Sequence, residues 1–439
     1  MSTNRTKPIY LDYAATTPIL SVVRKAMMPF LSSEFGNAGS LHGFGQRAMA
    51  AIDVARETVA KAIGAKFEQI VFTGSATEAN NLVLRGAVKI AQSISHGTGR
   101  SSVPATEATL DLSMPRLSTT DQARDISETF RSKKIVRPRI IILAIEHDSV
   151  LQTAKDLERD GVEVIYLPVD LRGVVDLRAL KESLNERTIL VSVMYVSNEI
   201  GTIQPIAEIG KIIKKFKERS LLSKKSDGNI FPLFHTDAVQ AFRYLDCNII
   251  KLGVDAMTLS AHKIGGPKGM GMLYTNIKLS PIITGGGQES GMRSGTENVA
   301  GIVGFGVAVA EAVKSRIRNF KRVEKLRNDF AEGLRNIVRD IQWNGPDLDS
   351  GDCAVSAPHI LNVFFPAHLA EELLVAFDRA GIAVSSGSAC SARASKLSHV
   401  LSAIGCTTDR IQCSIRFSFG PELSPVDTKE ALRRIREAL

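Results

Sequence analysis

Lys263 closes the segment Ser260-Ala261-His262-Lys263, just after a short apolar run. Asp237 ends a second apolar run in His235-Thr236-Asp237-Ala238-Val239-Gln240. A lysine amine condenses with an aldehyde to a Schiff base, and a carboxylate keeps a pyridine nitrogen protonated so that the ring accepts electrons. Many pyridoxal-phosphate (PLP) enzymes hold their cofactor with such a pair. Taken alone, an aspartate and a lysine so spaced mean little, since most such pairs are surface charges, so the surrounding chain has to decide.

Thr73-Gly74-Ser75-Ala76-Thr77-Glu78 follows an apolar strand and opens a helix. First-turn N–H groups and the helix dipole suit a phosphate there, and a capped helix start explains the same residues. No G-x-G-x-x-G follows this strand, so it is not a dinucleotide fingerprint. His147 follows Ala144-Ile145-Glu146 and is a core, surface or ring-stacking histidine. Asn198, before Gly201, either shapes a turn or offers its amide to a ligand oxygen. Gly285-Gly286-Gly287 and Arg293-Ser294-Gly295-Thr296-Glu297-Asn298 lead into another helix start, which is a second anion site or a second cap. Cys390 sits in Ser385-Ser386-Gly387-Ser388-Ala389-Cys390-Ser391, small residues that cannot bury a thiol, so exposure and mobility are expected. Arg416 lies inside the apolar Ile415-Arg416-Phe417 and needs a carboxylate, from substrate or from a structural partner.

These residues need a scaffold, and the periodicity supplies one. Candidate strands are Ile70–Phe72, Ile140–Ala144, Val162–Leu167, Ile189–Met194, Ile230–His235, Ala256–Leu259 and Met270–Tyr274. Helical patterns at Glu78–Ile90, Val150–Arg159, Leu177–Leu184 and Ile206–Glu218 fall between them. This alternation predicts an α/β fold with a mostly parallel seven-stranded sheet covered on both faces. Ligands of such sheets bind outside the carboxyl ends of the strands, and His147, Asn198, Asp237 and Lys263 each follow a candidate strand. A helix over Val299–Val338 leads to a smaller α+β region, with strands at Ile360–Phe364 and Ile411–Phe417 and helices at Ala370–Ala380 and Thr428–Ala438. The expected division is a large domain over 19–305 and a small domain from 1–18 plus 306–439. Residues 92–139, rich in Ser, Thr, Gly, Pro and charge, read as a surface insertion.

The 439 residues suffice for two or three domains with a sizeable core. Hydrophobic residues at 44% and charged residues at 23% are those of an ordinary globular protein. The net charge of +9 is spread along the chain without an aromatic-interleaved basic patch, so no direct contact with nucleic acid is expected. Five cysteines without a C-x-x-C pair argue against a disulfide framework and against a metal site of usual spacing. No apolar run is long enough to span a membrane, and no room for a leader precedes Ile9-Tyr10-Leu11-Asp12, so the cytoplasm is the expected place.

Taken together, the motifs from Tyr10-Leu11-Asp12-Tyr13-Ala14-Ala15-Thr16-Thr17-Pro18 to Ser414-Ile415-Arg416-Phe417-Ser418 resemble the cysteine desulfurases. These are PLP enzymes of the aminotransferase class V group with the fold-type I architecture, and the Ser-Gly-Ser-Ala-Cys loop is similar to that of the housekeeping and nitrogen-fixation branch. The resemblance covers nearly the whole chain except the insertion. It implies that Lys263 holds PLP and moves protons, Asp237 pairs with the pyridine nitrogen, and His147 stacks on the ring. It further implies that Gln240 and Asn198 contact the phenolic oxygen. Ala76, Thr77, Ser260 and His262 bind phosphate, with Thr296 reaching across from a second subunit of a homodimer. Arg416, with Asn198, takes the substrate carboxylate. Cys390 receives the sulfur of L-cysteine as a persulfide while alanine leaves, and passes it to an acceptor protein, an iron–sulfur scaffold or a tRNA-thiolating enzyme. No resident metal is implied, only a transient contact of Cys390 with an iron–sulfur cluster. A selenocysteine lyase or a related aminotransferase is the alternative. The chain departs from the family pattern at Ser197, Ile264 and Ser290, in the insertion, and in stopping at Leu439 without the extension that docks the scaffold in housekeeping enzymes.

Overall fold

In the computed structural model, residues 7–95, 137–223, 231–348, 355–386 and 397–439 are described; much of the insertion and Cys390 lie outside them. Strand β1 is Ile9–Tyr10, β2 Ile70–Thr73, β3 Arg139–Leu143, β4 Glu163–Leu167, β5 Thr188–Ser192 and β6 Leu233–Asp237. Then follow β7 Ala256–Ser260, β8 Gly271–Thr275, β9 Gln342–Asn344, β10 Ile360–Phe364, β11 Ile382–Ala383 and β12 Ser414–Ser418. The seven-stranded sheet has the order β2-β8-β7-β6-β5-β3-β4. Strand β8 runs antiparallel to both neighbours, and the pairings among β7, β6, β5, β3 and β4 are parallel. Strands β2, β5, β6, β7 and β8 are buried along their full length, as a sheet covered on both faces requires. Polar residues on these strands are paired locally. His235 on β6 bridges Ser192 Oγ at 2.9 Å and Thr258 Oγ1 at 3.0 Å.

The helix Val299–Arg335 is buried on one side through Ile302, Phe305, Val309, Val323, Leu326 and Phe330. Its first half packs on the helix Gly43–Ile63. Gly306 makes the approach possible, because a Cβ there would lie 2.8 Å from that of Ala55. Beyond this helix β12, β10 and β9 form a three-stranded antiparallel sheet, and β1 pairs in parallel with β11. An aromatic cluster of Phe330, Phe365, Phe377, Phe417 and Phe419 fills the core of this part, each ring essentially buried.

Several expected boundaries move. The strand expected over Ile411–Phe417 splits into a helix Thr408–Gln412 and β12, because the Thr407 side chain caps the Arg410 N–H and starts a helical turn. The long helix ends at Arg335 rather than Val338. Strand β6 runs two residues past His235, making Asp237 its last residue rather than the first of a loop. Helices at Ser21–Met27 and Gly43–Ile63 have no counterpart in the sequence reading; the second buries mostly Gly and Ala besides Ile52, Val59 and Ile63, which blurs its periodicity.

Candidate active site

A cavity of about 430 Å³ opens at the carboxyl ends of the central strands. It lies within the usual range for small-molecule sites. Lys263 ends the short 3-10 turn Ala261–Lys263 that follows β7. Its Nζ donates to the carbonyls of Ala14 and Ala15, each at 2.6 Å. The segment carrying those carbonyls is strapped across the turn. Thr17 N and Oγ1 both donate to the His262 carbonyl, at 2.9 and 2.8 Å, and Thr17 Oγ1 accepts from Gly265 N at 2.9 Å. His262 Nδ1 lies 3.1 Å from Thr16 Oγ1.

Asp237 faces the same cavity. Its Oδ1 accepts from Val239 N at 3.0 Å and its Oδ2 from Asn80 Nδ2 at 2.9 Å. Asn80, which also donates to Ser149 Oγ at 2.8 Å, therefore braces the carboxylate from the helix Ala76–Ser95. Beneath it, Glu146 is fully buried. Its Oε1 accepts from Met194 N at 2.7 Å, and its Oε2 has no partner among the described residues. Burial first, and the Asp237 charge second, hold the Glu146 carboxyl well above the usual carboxylate range. His147 caps the helix Asp148–Arg159 by accepting from Ser149 N at 3.1 Å on Nδ1. Burial pushes its pKa down, with the Lys263 ammonium second among the lowering influences, and the neutral ring lines the cavity.

At the other end lies the first turn of the helix Ala76–Ser95, whose N–H groups have no intrahelical acceptor. Ser75 Oγ accepts from Glu78 N at 3.1 Å, and Glu78 accepts from Gly74 N at 2.8 Å and from Arg293 Nε at 2.9 Å. Both readings of this segment thus apply: the helix is capped, and Ala76 and Thr77 still line the cavity. Gly271 on β8 is required by closeness, since a Cβ there would lie 2.4 Å from the Ser75 carbonyl carbon. Burial lowers the His262 pKa to about 4, with Lys263 and Lys268 adding to the effect, so this imidazole is neutral too.

Arg416 is 1% exposed on β12. Nη2 donates to Asp12 Oδ1 at 2.8 Å and Nη1 to the Asn198 carbonyl at 2.9 Å; Nε has no partner among the described residues. The arginine therefore has a structural ion pair and also lines the cavity. Asn198 joins it there, in a turn closed by Gly201 N donating to the Ser197 carbonyl at 3.0 Å.

The structure thus gathers Ala76, Thr77, His147, Asn198, Asp237, Gln240, Ser260, His262, Lys263 and Arg416 around one cavity. Thr296 is exposed and outside the lining, and Cys390 lies outside the described residues. Asn80, Glu146, Ser149 and the Ala14 and Ala15 carbonyls were not singled out from sequence. Asn80 and Ser149 read as ordinary helix residues, and a backbone acceptor leaves no mark in a sequence. The donor set fits PLP. An amine, a braced carboxylate and a helix N-terminus face one space, and Arg416, whose Nε is buried without a partner among the described residues, lines it with them.

The aminotransferase class-V family model matches residues 9–97 and 118–429, and the chain belongs to that family. It is 39% identical to "Cysteine desulfurase IscS" of Dictyoglomus turgidum over 438 residues, covering 99% of this chain and 95% of that protein. It is 38% identical to "Putative cysteine desulfurase IscS 1" of Bacillus subtilis, covering 98% of each. Among solved structures, a "NifS-like protein" superposes with a TM-score of 0.79 at 33% identity, covering 98% of both chains. "SspA in complex with cysteine" superposes at 0.72 with 30% identity, covering 94% of this chain and 99% of that one. The family and these likenesses carry the fold-type I reading of the seven-stranded sheet. Among the described residues no helix is long and apolar enough to cross a membrane.

Proposed function

We infer that this protein is a PLP-dependent cysteine desulfurase that converts L-cysteine to L-alanine and retains the sulfur as a persulfide. The observation that carries the reading is the convergence of Lys263, Asp237 and Arg416 on one cavity, in a chain whose relatives bear that name over nearly their full length. Bound PLP supplies an electron sink for the carbons of the substrate. Lys263 would hold it covalently and move a proton at Nζ. Asp237, braced by Asn80 and Val239 N, would hold the pyridine nitrogen protonated. Neutral His147 would lie against the ring, Gln240 and Asn198 would meet the phenolic oxygen, and Ala76, Thr77, Ser260 and His262 would take the phosphate. Arg416 would orient the substrate carboxylate. Cys390 takes the sulfur: its S–S bond forms as the substrate C–S bond breaks, and the carbon skeleton leaves as alanine. The test is to incubate the PLP-loaded protein with L-cysteine and a thiol reductant, expecting alanine and sulfide in equal amounts. Keto acid in place of alanine would make it a transaminase and overturn the reading.

We further propose a homodimer in which Thr296 completes the phosphate site of the partner. Exposure of Thr296 beside the helix start at Val299, away from its own cavity, supports this. Light scattering is expected to give the mass of two chains, and a PLP-saturated single chain would refute it. The division into domains 19–305 and 1–18 plus 306–439 belongs to the same reading. It is supported by the separate apolar core that joins Ile9, Leu11 and Tyr13 to residues from Val323 to Ile435. The sulfur acceptor would be an iron–sulfur scaffold or a tRNA-thiolating enzyme, and persulfide chemistry suits a reducing compartment such as the cytoplasm.

A further inference from the structure

His359 precedes β10 and is 3% exposed. Its ring stacks on Tyr244, with centroids 4.5 Å apart and planes 23° from parallel. Nε2 lies 3.1 Å from Gln240 Oε1, and Nδ1 has no partner among the described residues. Gln240 lines the cavity, and its Nε2 donates to the Ala14 carbonyl at 2.9 Å, the same carbonyl that accepts from Lys263. These contacts fix the protons. A backbone carbonyl only accepts, so the Gln240 amide must turn its NH₂ toward Ala14 and its oxygen toward His359. The imidazole must then carry its hydrogen on Nε2, leaving Nδ1 as a bare lone pair. A second proton on Nδ1 would be a buried N–H without an acceptor.

We propose that His359 is a positioning residue for the cofactor site, locking the Gln240 amide so that an N–H, never the carbonyl, is offered to the cavity beside Lys263. The remaining Gln240 amide hydrogen is the donor in question, and an anionic oxygen is what it suits; the phenolic oxygen of PLP is of that class. Burial, reinforced by Arg243, Arg327, Arg416 and Lys263, lowers the His359 pKa to about 3, so the donor on Nε2 is constant across working pH. Among the described residues the amide has one hydrogen-bonding neighbour on each side, the Ala14 carbonyl and the His359 side chain. The proposal rests on PLP as the occupant of the cavity and adds a residue that touches neither cofactor nor substrate.

The test is a double-mutant cycle on the PLP-loaded protein, read without cysteine. The readouts are the PLP dissociation constant and the pH at which the visible absorbance of bound PLP titrates. His359→Phe keeps the ring on Tyr244 and removes the donor. It is expected to weaken PLP binding about tenfold and to move the titration midpoint. His359→Gln places an N–H where Nε2 stands and should restore both. His359→Asn places it where Nδ1 stands and should not, which preserves the comparison if the phenylalanine variant fails to fold. Gln240→Ala should reproduce the loss, and adding His359→Phe to it should cost nothing more, because two residues acting through one contact are not additive. Additive losses, or a His359→Phe protein with wild-type binding and titration, would overturn the proposal. A wild type that binds no PLP would overturn it together with the cofactor reading. Binding of PLP without alanine formation would count against desulfuration alone, with the cycle still deciding the role of His359.

Discussion

Lys263→Ala is expected to lower alanine formation by at least ~10³-fold while leaving a folded protein. Positioned proton transfer by one side chain contributes roughly 10²–10⁴ in rate, and covalent attachment of PLP is lost with it. The fold should survive because the two carbonyls that hold Nζ are not abandoned equally. Ala14 keeps its bond from Gln240 Nε2, and the strap around them is fixed independently by Thr17. Borohydride reduction of the wild type followed by peptide mapping should label Lys263, and the variant should give no labelled peptide. A label on another lysine would sink the assignment of this residue.

Cys390→Ser is expected to abolish the protein-bound persulfide and to reduce alanine by ~10²-fold or more. The cysteines in the described residues are poor substitutes. Cys247 is fully buried and its thiol is pushed up to about 12, chiefly by burial. Burial also raises the Cys406 and Cys413 thiols above their ordinary range. A thiol held protonated is a weak nucleophile, so Cys247→Ser, Cys406→Ser and Cys413→Ser should each retain turnover. Thiol-selective labelling with mass spectrometry would locate the persulfide, and alanine would be measured in parallel. Equal alanine from wild type and Cys390→Ser would remove Cys390 from the reaction.

The central sheet was legible because its strands are short apolar runs separated by amphipathic helices, and a buried parallel strand has little freedom to look otherwise. Residues at strand ends line the cavity, so Asp237 and Lys263 could be read as candidates from the strand pattern alone. What stayed hidden was of two kinds. The helix Gly43–Ile63 buries small residues against Gly306, and close helix contact made from Ala and Gly leaves weak periodicity. The braces of the site, Asn80 under Asp237, Glu146 beneath it and His359 behind Gln240, are distant in sequence from what they hold. Only the folded geometry joins them. Arg416 shows the intermediate case: its need for a partner was plain, yet ion pair and cavity turned out to be one location rather than two alternatives.

The cavity belongs to both ends of the chain. Arg416 meets Asp12 and Ser418 Oγ accepts from Ala14 N, each across 404 positions of sequence, while Ala14 and Ala15 hold the Lys263 amine. During synthesis the segment from Leu11 to Thr17 emerges well before strands β11 and β12, its partners in the folded chain. Contacts so distant in sequence form late, and domains generally fold as they emerge. The residues that would hold the cofactor precede β12 in the chain, and Arg416, which would take the substrate carboxylate, joins the cavity only with that strand. A nascent chain that has not yet reached residues 414–418 therefore lacks Arg416, and with it the group that would orient a free cysteine.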